Sequence, residues 1–555
     1  MVLLRHLLIA SVVCLTGTQV LAQSLPHAGI ATAHPVATQA GHAMLAKGGN
    51  AFDAAVAVTA TLAVVEPYSS GIGGGGFWLL HRASDAKQVM LDGREMAPGR
   101  AYRDMYLDDA GKVRPGASIN GPLAAGIPGV PAALEHLALK YGKLSLAVSL
   151  QPAINAAKAG FLVDPLYRRM AGFRLAALRA SPAAAAVFLD NNEIPELGYR
   201  VRQLDLANTL QTIAKEGAKG FYRGPVAQRL VTGARDAGGL WRLEDLARYR
   251  VIERQPVSAM MGNTKLVSVP PPSSGGVALL SILKQLDRFS RSARTTHRQH
   301  LVVEAMRRAY RDRAEFLGDS DFVDVPVARL TSDAHAQMLH SSIDNDNATP
   351  SSDLPPIAVS DNAGTDTTHF SIIDREGNRV AATLSINYPF GSSFIAPGTG
   401  VLLNDEMDDF SKKPGEPNAY GLVGAAANAI EAYKRPLSSM SPTFIESPRG
   451  VAILGTPGGS RIITMVLHGI LDYIDGGDAA SMVSKRRYHH QYLPDHIEYE
   501  RGAFSRQQAE DLQLRGHTLS QRDDYGNMQV ILWERQSNRV DAASDPRGVG
   551  SAVVK

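Results

Sequence analysis

The sequence predicts an α+β protein in which stacked β-sheets are flanked by helices. Helix-like segments fill much of the chain before residue 335, alternating strand-like segments begin at residue 367, and helix-like sequence returns near residues 460–485. Apolar residues three and four positions apart indicate helices, whereas strict alternation indicates strands. With 45% hydrophobic and 20% charged residues among 555, the chain can bury a large core.

The first 22 residues predict a secretory signal peptide. Arg5 precedes a short apolar run from Leu7 to Leu15, and Ala22 ends a small-residue cleavage site. The run is too short to span a bilayer, and no later stretch is apolar enough to do so. Cys14, the only cysteine, lies inside this segment, so the mature chain lacks disulfides and cysteine nucleophiles. We expect an exported protein, in the periplasm or, alternatively, in the medium.

The first half of the mature chain is predicted to be mainly helical. Two helices are expected within residues 36–65, separated by Gly48-Gly49-Asn50, with Asp53 near the start of the second, where a carboxylate is favoured. Residues 130–220 are mostly helical, and the Pro270–Gly276 segment forms a rigid loop before another helix. From about 335 to 366, Ser, Asp, Asn, Pro and Thr dominate, which predicts an exposed linker.

A β-hairpin is predicted directly after this linker. Thr367 to Ile373 alternates, residues 374–378 are typical of a turn, and Arg379 to Asn387 alternates again. A five-residue turn would pair Thr367 with Ser385 and place Asn387 on the same face.

Thr367 is a candidate nucleophile. A threonine hydroxyl becomes nucleophilic only beside a base, and cutting the chain before Thr367 would supply its own α-amino group, with a pKa near 8. Two further segments suit the same chemistry. The consecutive glycines Gly458 and Gly459 can present N–H groups to an oxyanion. The acidic run at residues 404–409 suits an ammonium ligand.

Other motifs indicate no cofactor, metal or nucleic acid. The Gly71-x-Gly73-x-x-Gly76 pattern matches a dinucleotide fingerprint, but it follows a helix and enters a strand, so we expect a closely packed turn. His489, His490 and His496 lack metal-ligand spacing and are expected to be structural. No Gly-x-Ser-x-Gly elbow is present, which disfavours a serine hydrolase. The net charge of +3 is dispersed, so nucleic acid is not an expected partner.

Together, these segments resemble the γ-glutamyltranspeptidase family of N-terminal-nucleophile hydrolases over nearly the whole mature chain. The matching motifs, in order, are Gly48–Ala54, Arg94–Pro98, Phe221–Gly224, the triple-proline loop, Thr367-Thr368-His369, Asn404–Phe410, Arg435–Met440, Pro457–Ser460 and Ala543–Arg547. The resemblance implies a four-layer αββα sandwich formed jointly by two subunits of one self-cleaving precursor. The cut would lie between Asp366 and Thr367, giving a large subunit of residues 23–366 and a small subunit of residues 367–555 that remain a heterodimer.

The resemblance also implies a role for each candidate residue. Thr367 would be the nucleophile, with Ser385 beside it where the family usually has threonine, and Gly458 and Gly459 would form the oxyanion hole. Arg94, helped by Ser438 and Ser439, would bind the α-carboxylate of the substrate. The α-amino group of the substrate would be bound by Asn387, Glu406 and Asp409. The segment from Ser411 to Val423, including Tyr420, would be a lid. Arg486 stands where the family usually has proline, and we interpret it as tolerated surface variation.

The implied function is cleavage of the γ-glutamyl amide of glutathione and related compounds, with transfer to water, amino acids or peptides. No cofactor is expected. Two alternatives remain: a glutaryl or cephalosporin-type acylase of the same family, and an unprocessed, inactive homologue that acts as a binding protein. Retention of both Glu406 and Asp409 favours an ammonium-bearing substrate over a glutaryl one.

Overall fold

The computed structural model describes residues 24–289, 295–354, 367–413, 418, 421–422 and 424–555. The predicted signal peptide, the cleavage residue Asp366 and the lid residue Tyr420 lie outside the described residues. None of the helices in the described part of the chain is both long and apolar enough to cross a membrane.

Helices occupy mainly the first 341 residues and the segment after residue 461. They are α1 Pro35–Ala46, α2 Ala51–Val65, α3 Val130–Lys140, α4 Leu146–Ala159, α5 Pro165–Arg179, α6 Pro182–Phe188, α7 Leu204–Glu216, α8 Lys219–Tyr222, α9 Gly224–Asp236, α10 Leu243–Arg248, α11 Gly275–Leu286, α12 Thr295–Phe316, α13 Val327–Leu330, α14 Asp333–Ser341, α15 Ile462–Ile474, α16 Ala479–Ser484 and α17 Arg506–Leu514.

Strands come from both halves of the chain. They are β1 Gly29–Thr32, β2 Gly75–Arg82, β3 Lys87–Asp92, β4 Phe161–Leu162, β5 Arg200–Val201, β6 Ile252–Arg254, β7 Val257–Met261, β8 Thr264–Ser268, β9 Thr368–Ile373, β10 Arg379–Ser385, β11 Thr443–Glu446, β12 Gly450–Gly455, β13 Tyr488–His489, β14 Ile497–Glu500, β15 Leu519–Arg522, β16 Gln529–Glu534, β17 Arg539–Ser544 and β18 Ser551–Val554.

Two antiparallel sheets form the centre of the molecule. The first has the strand order β18-β1-β9-β10-β2-β3-β6, and the second has the order β17-β16-β12-β11-β8-β7. The first sheet combines strands from both sides of the predicted cleavage point. The second sheet does so too, because β7 and β8 precede this point and its other four strands follow it. The two predicted subunits therefore share both sheets.

The sheets stack face to face, with helices on both outer faces. On β2, Trp78 and Leu80 belong to a core formed with helices α2 to α7 and α9, whereas Phe77 and Leu79 belong to a second core. That second core includes residues of β11, β12 and β16 and of helices α11, α12 and α15. Because successive strand residues point to opposite faces, β2 alone contacts both layers beside it. The predicted αββα order is thereby confirmed.

The β9–β10 hairpin has the predicted register. Ile373 pairs with Arg379 and Thr368 pairs with Leu384, so the next position places Thr367 opposite Ser385. The alternation, however, does not separate an exposed face from a buried one, since every residue of both strands is buried. The polar side chains on the inner face bond to one another: His369 Nδ1 lies 2.8 Å from Thr383 Oγ1. Burial lowers the pKa of His369 to about 3, which keeps it neutral.

The start of α2 is fixed as the sequence predicted. Asn50 caps the helix, and Asp53 accepts a hydrogen bond from the Asn50 backbone N–H at 2.9 Å. Asp53 also accepts from the backbone N–H groups of Lys143 and Leu144, at 2.9 and 3.0 Å. The helix is buried along its whole length and ends at Val65, next to the glycine-rich turn.

The first part of the predicted linker is ordered, although many of its residues are exposed as predicted. Helix α14 extends from Asp333 to Ser341, with Ala336 buried. Farther on, Arg308 donates to the Ser342 carbonyl at 2.7 Å, and Ser351 is buried with its hydroxyl donating to the Tyr492 carbonyl at 2.7 Å. Hydrogen bonds to arginine and backbone groups therefore help to order a segment whose composition is poor in apolar residues. Residues 355–366 of the linker lie outside the described residues.

Candidate active site

Thr367 lies immediately before β9, opposite the end of β10. Its Oγ1 is 3.4 Å from Ser385 Oγ, and the residue is only 5% exposed. Ser385 Oγ accepts a hydrogen bond from the Asn387 backbone N–H at 2.8 Å, which fixes its orientation. Thr367 and Thr368 point to opposite faces of the hairpin, and Thr368 donates instead to Glu66 Oε2 at 2.7 Å. Thr367, and not Thr368, is thus the threonine that faces the residues predicted to bind the substrate.

The glycine-rich turn before β2 supports Ser385. A β-carbon on Gly74 would lie 2.1 Å from the Ser385 carbonyl oxygen, and one on Gly73 would lie 2.1 Å from the Leu402 carbonyl oxygen. Only glycine permits this approach of two backbones. The turn is a packing element, as expected for a motif that enters a strand.

A small cavity beside Thr367 brings together most of the predicted site residues. It is lined by Arg94, Thr367, Ser385, Asn387, Glu406, Asp409, Leu422, Ser438, Ser439, Met440, Gly459 and Ile462. Gly458 borders a second, larger cavity that Thr367 also lines. We call these the small cavity and the large cavity. The apolar wall formed by Leu422, Met440 and Ile462 was not predicted, because nothing local distinguishes these residues from ordinary core positions.

Arg94 is the centre of a buried ion-pair network. Its Nη1 donates to Glu406 Oε2 at 2.5 Å, and its Nη2 donates to Asp409 Oδ2 at 2.5 Å. Nη1 also lies 3.3 Å from Glu95 Oε2, and Nε donates to the Pro436 carbonyl at 3.1 Å. The residues predicted to bind the two opposite charges of a substrate therefore bind each other in this structure.

The network contains more acidic groups than its one arginine can neutralise. Burial raises the pKa of Glu406 to about 7, although the adjacent Arg94 opposes this shift. Burial likewise raises the pKa of Asp409, and it raises that of Glu95 well above the usual value. Within the described part of the chain, Glu406 Oε1 and Glu95 Oε1 are buried without a hydrogen-bond partner. The small cavity is thus suited to a cationic group beside an anionic one.

The two serines at residues 438–439 are held by the triple-proline loop. The Ser438 backbone N–H donates to the Pro272 carbonyl at 2.8 Å, and its own carbonyl accepts from the Ser274 backbone N–H at 2.8 Å. Ser439 Oγ accepts from the buried Arg313 at 3.3 Å. Burial lowers the pKa of Arg313 to about 10, and the guanidinium keeps its charge at neutral pH. Arg313 is therefore a second cation near this end of the cavity.

Gly458 and Gly459 form a tight turn before α15. Their φ angles are 139° and 57°, both in the region that favours glycine. A β-carbon on Gly458 would lie 2.4 Å from Met465 Cε. A helix start carries partial positive charge and unused N–H groups. The turn can therefore present donors to an oxyanion that forms at Thr367.

The predicted lid contacts the site where the structure describes it. Asn418 donates to Asp409 Oδ1 at 2.9 Å, and Leu422 lines the small cavity. Tyr420 and the other undescribed residues of this segment leave the role of the lid a prediction.

Of the three predicted structural histidines, His489 and His490 are buried and bonded, whereas His496 is half-buried and lies 3.8 Å from Glu498 Oε1. His489 Nδ1 lies 2.9 Å from Thr464 Oγ1, and His490 Nε2 lies 3.2 Å from Asp495 Oδ1. A different group, His300, Glu304 and His517, is the only one among the described residues close enough to hold a metal ion. Glu304 is already paired with Arg307 and Arg308, whose charges oppose a metal cation.

Arg486 lies at the surface, with 48% of its side chain exposed. It lines the large cavity and bonds to both carboxylate oxygens of Asp524 at 2.7 Å. Glu66 also lines this cavity and was missed entirely. Its contact with Thr368 joins residues 302 positions apart, a pairing that no local pattern reveals.

Comparisons with known proteins agree with this geometry. Residues 37–555 match the sequence profile of the family described as Gamma-glutamyltranspeptidase. A glutathione hydrolase proenzyme of Escherichia coli (strain K12) is 40% identical over 526 residues, which cover 94% of this chain and 90% of that protein. The solved cephalosporin acylase from Bacillus halodurans has a TM-score of 0.83 at 26% identity and covers 96% of each chain. The solved Helicobacter pylori gamma-glutamyltranspeptidase has a TM-score of 0.57 at 38% identity, covering 58% of this chain and 93% of that one.

The stacked sheets and flanking helices are those of the N-terminal-nucleophile hydrolases. Within that class, the chain belongs to the gamma-glutamyltranspeptidase family.

Proposed function

We propose that this chain is an exported, self-processing γ-glutamyltransferase and hydrolase whose nucleophile is Thr367. The observation that carries the proposal is the buried network of Arg94, Glu406 and Asp409 in a cavity that Thr367 also lines. A γ-glutamyl group ends in a free carboxylate and a free ammonium group, and this network offers a partner to each. Glutathione is the expected donor, as the names of the relatives indicate.

Maturation begins with the Thr367 hydroxyl attacking the carbonyl carbon of Asp366. The new C–O bond forms, the peptide C–N bond breaks, and the nitrogen takes the proton and becomes the α-amino group of Thr367. Water then hydrolyses the ester and leaves a carboxylate on Asp366. The products are the large subunit, residues 23–366, and the small subunit, residues 367–555.

Turnover uses the amino group that maturation creates. This amine removes the proton from Thr367 Oγ1, directly or through water, as Oγ1 attacks the γ-glutamyl carbonyl. The N–H groups of Gly458 and Gly459 bind the resulting oxyanion. The C–N bond breaks, the leaving amine takes the proton, and a γ-glutamyl ester on Thr367 remains. Water or an acceptor amine then attacks this ester and releases glutamate or a new γ-glutamyl amide. Ser385, within hydrogen-bonding distance of Oγ1, orients the hydroxyl.

Substrate binding exchanges internal ion pairs for external ones. The substrate carboxylate binds Arg94, with Ser438 and Ser439 as further hydrogen-bond donors. The substrate ammonium group binds Glu406 and Asp409, with Asn387 as a further partner. Because a buried charge left without its partner costs several kcal/mol, both exchanges must happen together. A zwitterionic head meets this condition.

A glutaryl substrate meets only half of it. Its carboxylate would draw Arg94 from Glu406 and Asp409 without supplying a cation to replace the guanidinium. The acylase alternative, which the similarity to the Bacillus halodurans enzyme keeps open, is therefore disfavoured for this chain. Parallel kinetics with γ-glutamyl and glutaryl anilides test this directly. A higher kcat/KM for the glutaryl anilide would establish the acylase.

Maturation is tested on the full-length chain by denaturing gel and mass spectrometry of the N-termini. We expect a new N-terminus at Thr367 and another at Gln23 after signal removal. Thr367→Ala should remain a single chain of about 57 kDa. Thr368→Ala, the matched control on the opposite face, should still be cut. A wild-type protein that remains one uncut chain would favour the binding-protein alternative.

A further inference from the structure

Helix α12 carries a buried arginine, Arg313, that forms no ion pair within the described part of the chain. The other arginines of this helix all have acidic partners: Arg298 pairs with Asp475, Arg307 and Arg308 pair with Glu304, and Arg311 pairs with Glu315. Arg313 is only 5% exposed, and its guanidinium bonds instead to two serine hydroxyls, those of Ser274 and Ser439. A buried charge costs free energy unless an opposite charge is near it. The position of Arg313 therefore favours a nearby anion.

Arg313 is linked to both serines of the small cavity. Its Nη2 donates to Ser439 Oγ at 3.3 Å, and Ser439 lines the cavity. Its Nε donates to Ser274 Oγ at 3.1 Å, and Ser274 Oγ donates in turn to the Ser438 carbonyl at 2.8 Å. Arg313 does not itself line the cavity, so it acts there through these serines.

The two cavity serines are arranged as hydrogen-bond donors. A guanidinium can only donate, so Ser439 Oγ accepts from Arg313 and keeps its own hydrogen for another group. Ser438 Oγ likewise accepts from the Met440 backbone N–H at 3.1 Å. Neither hydroxyl hydrogen has an acceptor among the residues that the structure describes. Both can therefore donate to one anion in the cavity, and the charge of Arg313 strengthens the donation from Ser439.

The acidic groups around Arg94 do not serve as this anion. Asp409 is the carboxylate whose charge acts on Arg313, but its two oxygens accept from Arg94 at 2.5 Å and from Asn418 at 2.9 Å. The counter-charge of Arg313 must therefore come from a bound molecule.

We propose that Arg313 is a positioning residue that makes the enzyme select donors with a free α-carboxylate. It holds Ser439 so that the hydroxyl hydrogen points to this carboxylate, and it adds a second positive charge beside that of Arg94. The inference rests on the proposed function and adds a residue that determines its donor specificity.

The test compares two donors that differ only in the charge of this group. Processed enzyme is given a γ-glutamyl anilide or its α-carboxamide analogue, which keeps the ammonium group but has no carboxylate, and the ratio of their kcat/KM values is determined. If the analogue is not turned over, its inhibition constant against the anilide supplies the comparison. In Arg313→Met the preference for the carboxylate donor should fall about tenfold, the size expected for one hydrogen bond to a charged group. The change should lie in the KM of the carboxylate donor, with kcat little altered.

Two further variants separate this role from a structural one. Arg313→Lys keeps a positive charge and should give an intermediate preference. Ser439→Ala removes the hydroxyl through which Arg313 acts, so adding Arg313→Met to it should lower the preference little further. The thermal midpoint of Arg313→Met should not fall below that of wild type, because the substitution removes a buried charge that has no acidic partner.

Arg311→Met is the matched control, since Arg311 lies on the same helix, pairs with Glu315 and lines neither cavity. It should keep the wild-type preference. An unchanged preference in Arg313→Met or, if that variant does not fold, in Arg313→Lys would overturn the inference, while turnover of the anilide upholds the proposed function. A wild-type enzyme that turns over no γ-glutamyl donor would remove both.

Discussion

Glu406→Gln should remove a pH dependence from donor binding while leaving the enzyme folded. Burial raises the pKa of Glu406 to about 7, so in the free enzyme this carboxyl is mostly protonated at pH 5.5 and mostly ionised at pH 8.5. Only the ionised form attracts the ammonium group of the donor. The sign follows directly: kcat/KM for a γ-glutamyl donor should rise with pH as Glu406 loses its proton.

The size of the effect follows from this pKa. A group with a pKa near 7 is about 3% ionised at pH 5.5 and almost fully ionised at pH 8.5, a difference of about 30-fold. The Thr367 amine, with a pKa near 8, adds its own rise. Glutamine can still accept a hydrogen bond from the ammonium group but without the charge, which should raise KM at pH 8.5 by roughly tenfold.

The assay is kcat/KM for a γ-glutamyl anilide at pH 5.5 and 8.5, for wild type and Glu406→Gln. The increase between these pH values should be about 30-fold smaller in the variant, because the contribution from the ionisation of Glu406 is lost. Asp408→Asn is the neighbouring control, since Asp408 bonds to Lys412 at 2.7 Å and to Ser118 at 2.6 Å and does not line the small cavity. It should lower the thermal midpoint but keep the wild-type pH ratio. Equal pH ratios in wild type and Glu406→Gln would refute the role of this carboxylate.

Three further predictions concern residues around the proposed nucleophile. Ser385→Ala should slow both maturation and turnover by about tenfold in single-turnover assays, as expected for one lost hydroxyl hydrogen bond, and Ser385→Thr should restore them; normal rates in the alanine variant would exclude an orienting role. Gly458→Ala should lower kcat by at least about 100-fold, since its φ of 139° and the 2.4 Å approach to Met465 Cε forbid a β-carbon without displacing the turn, and circular dichroism should remain that of a folded protein. Burial raises the pKa of Glu66 from 4.5 to about 7. Because the unfolded chain ionises at the lower pKa, the wild-type protein loses stability as the pH rises from 4.5 to about 7. Glu66→Gln should therefore gain stability over wild type between pH 5 and pH 8, by at most roughly 3 kcal/mol, measured by urea unfolding, and an equal difference at both pH values would contradict this.

The features that sequence predicted are those determined by neighbouring residues. The five-residue turn at 374–378 fixed the pairing of Thr367 with Ser385, because strand register follows from loop length once the turn is known. The Gly48-Gly49-Asn50 break likewise marked the start of α2, which Asn50 caps.

The features that sequence missed depend on contacts between distant segments. Glu66 reaches Thr368 only because α2 packs against the first sheet. The segment after residue 341 has the composition of an exposed linker, yet Arg308 and Tyr492 supply the hydrogen bonds that order it. The small cavity was predicted by resemblance, but the direct pairing of Arg94 with Glu406 and Asp409 was not. Ion pairs between residues more than 300 positions apart have no local signature.

The order of strands in the first sheet implies that the two fragments, once cut and separated, would not readily reassemble. β9, the strand that Thr367 precedes, is bonded to β1 on one side and to β10 on the other, and β10 is bonded in turn to β2. Strands from before and after the cut are thus interleaved in one hydrogen-bonded sheet, and neither fragment contains the complete sheet. Separating the fragments would break the ladders on both sides of the small-subunit strands and expose unpaired edges in each piece. The uncut chain alone carries the connectivity needed to assemble this surface in a unimolecular reaction. Once the bond is broken, the heterodimer keeps the strand pairing that the uncut chain formed when it folded.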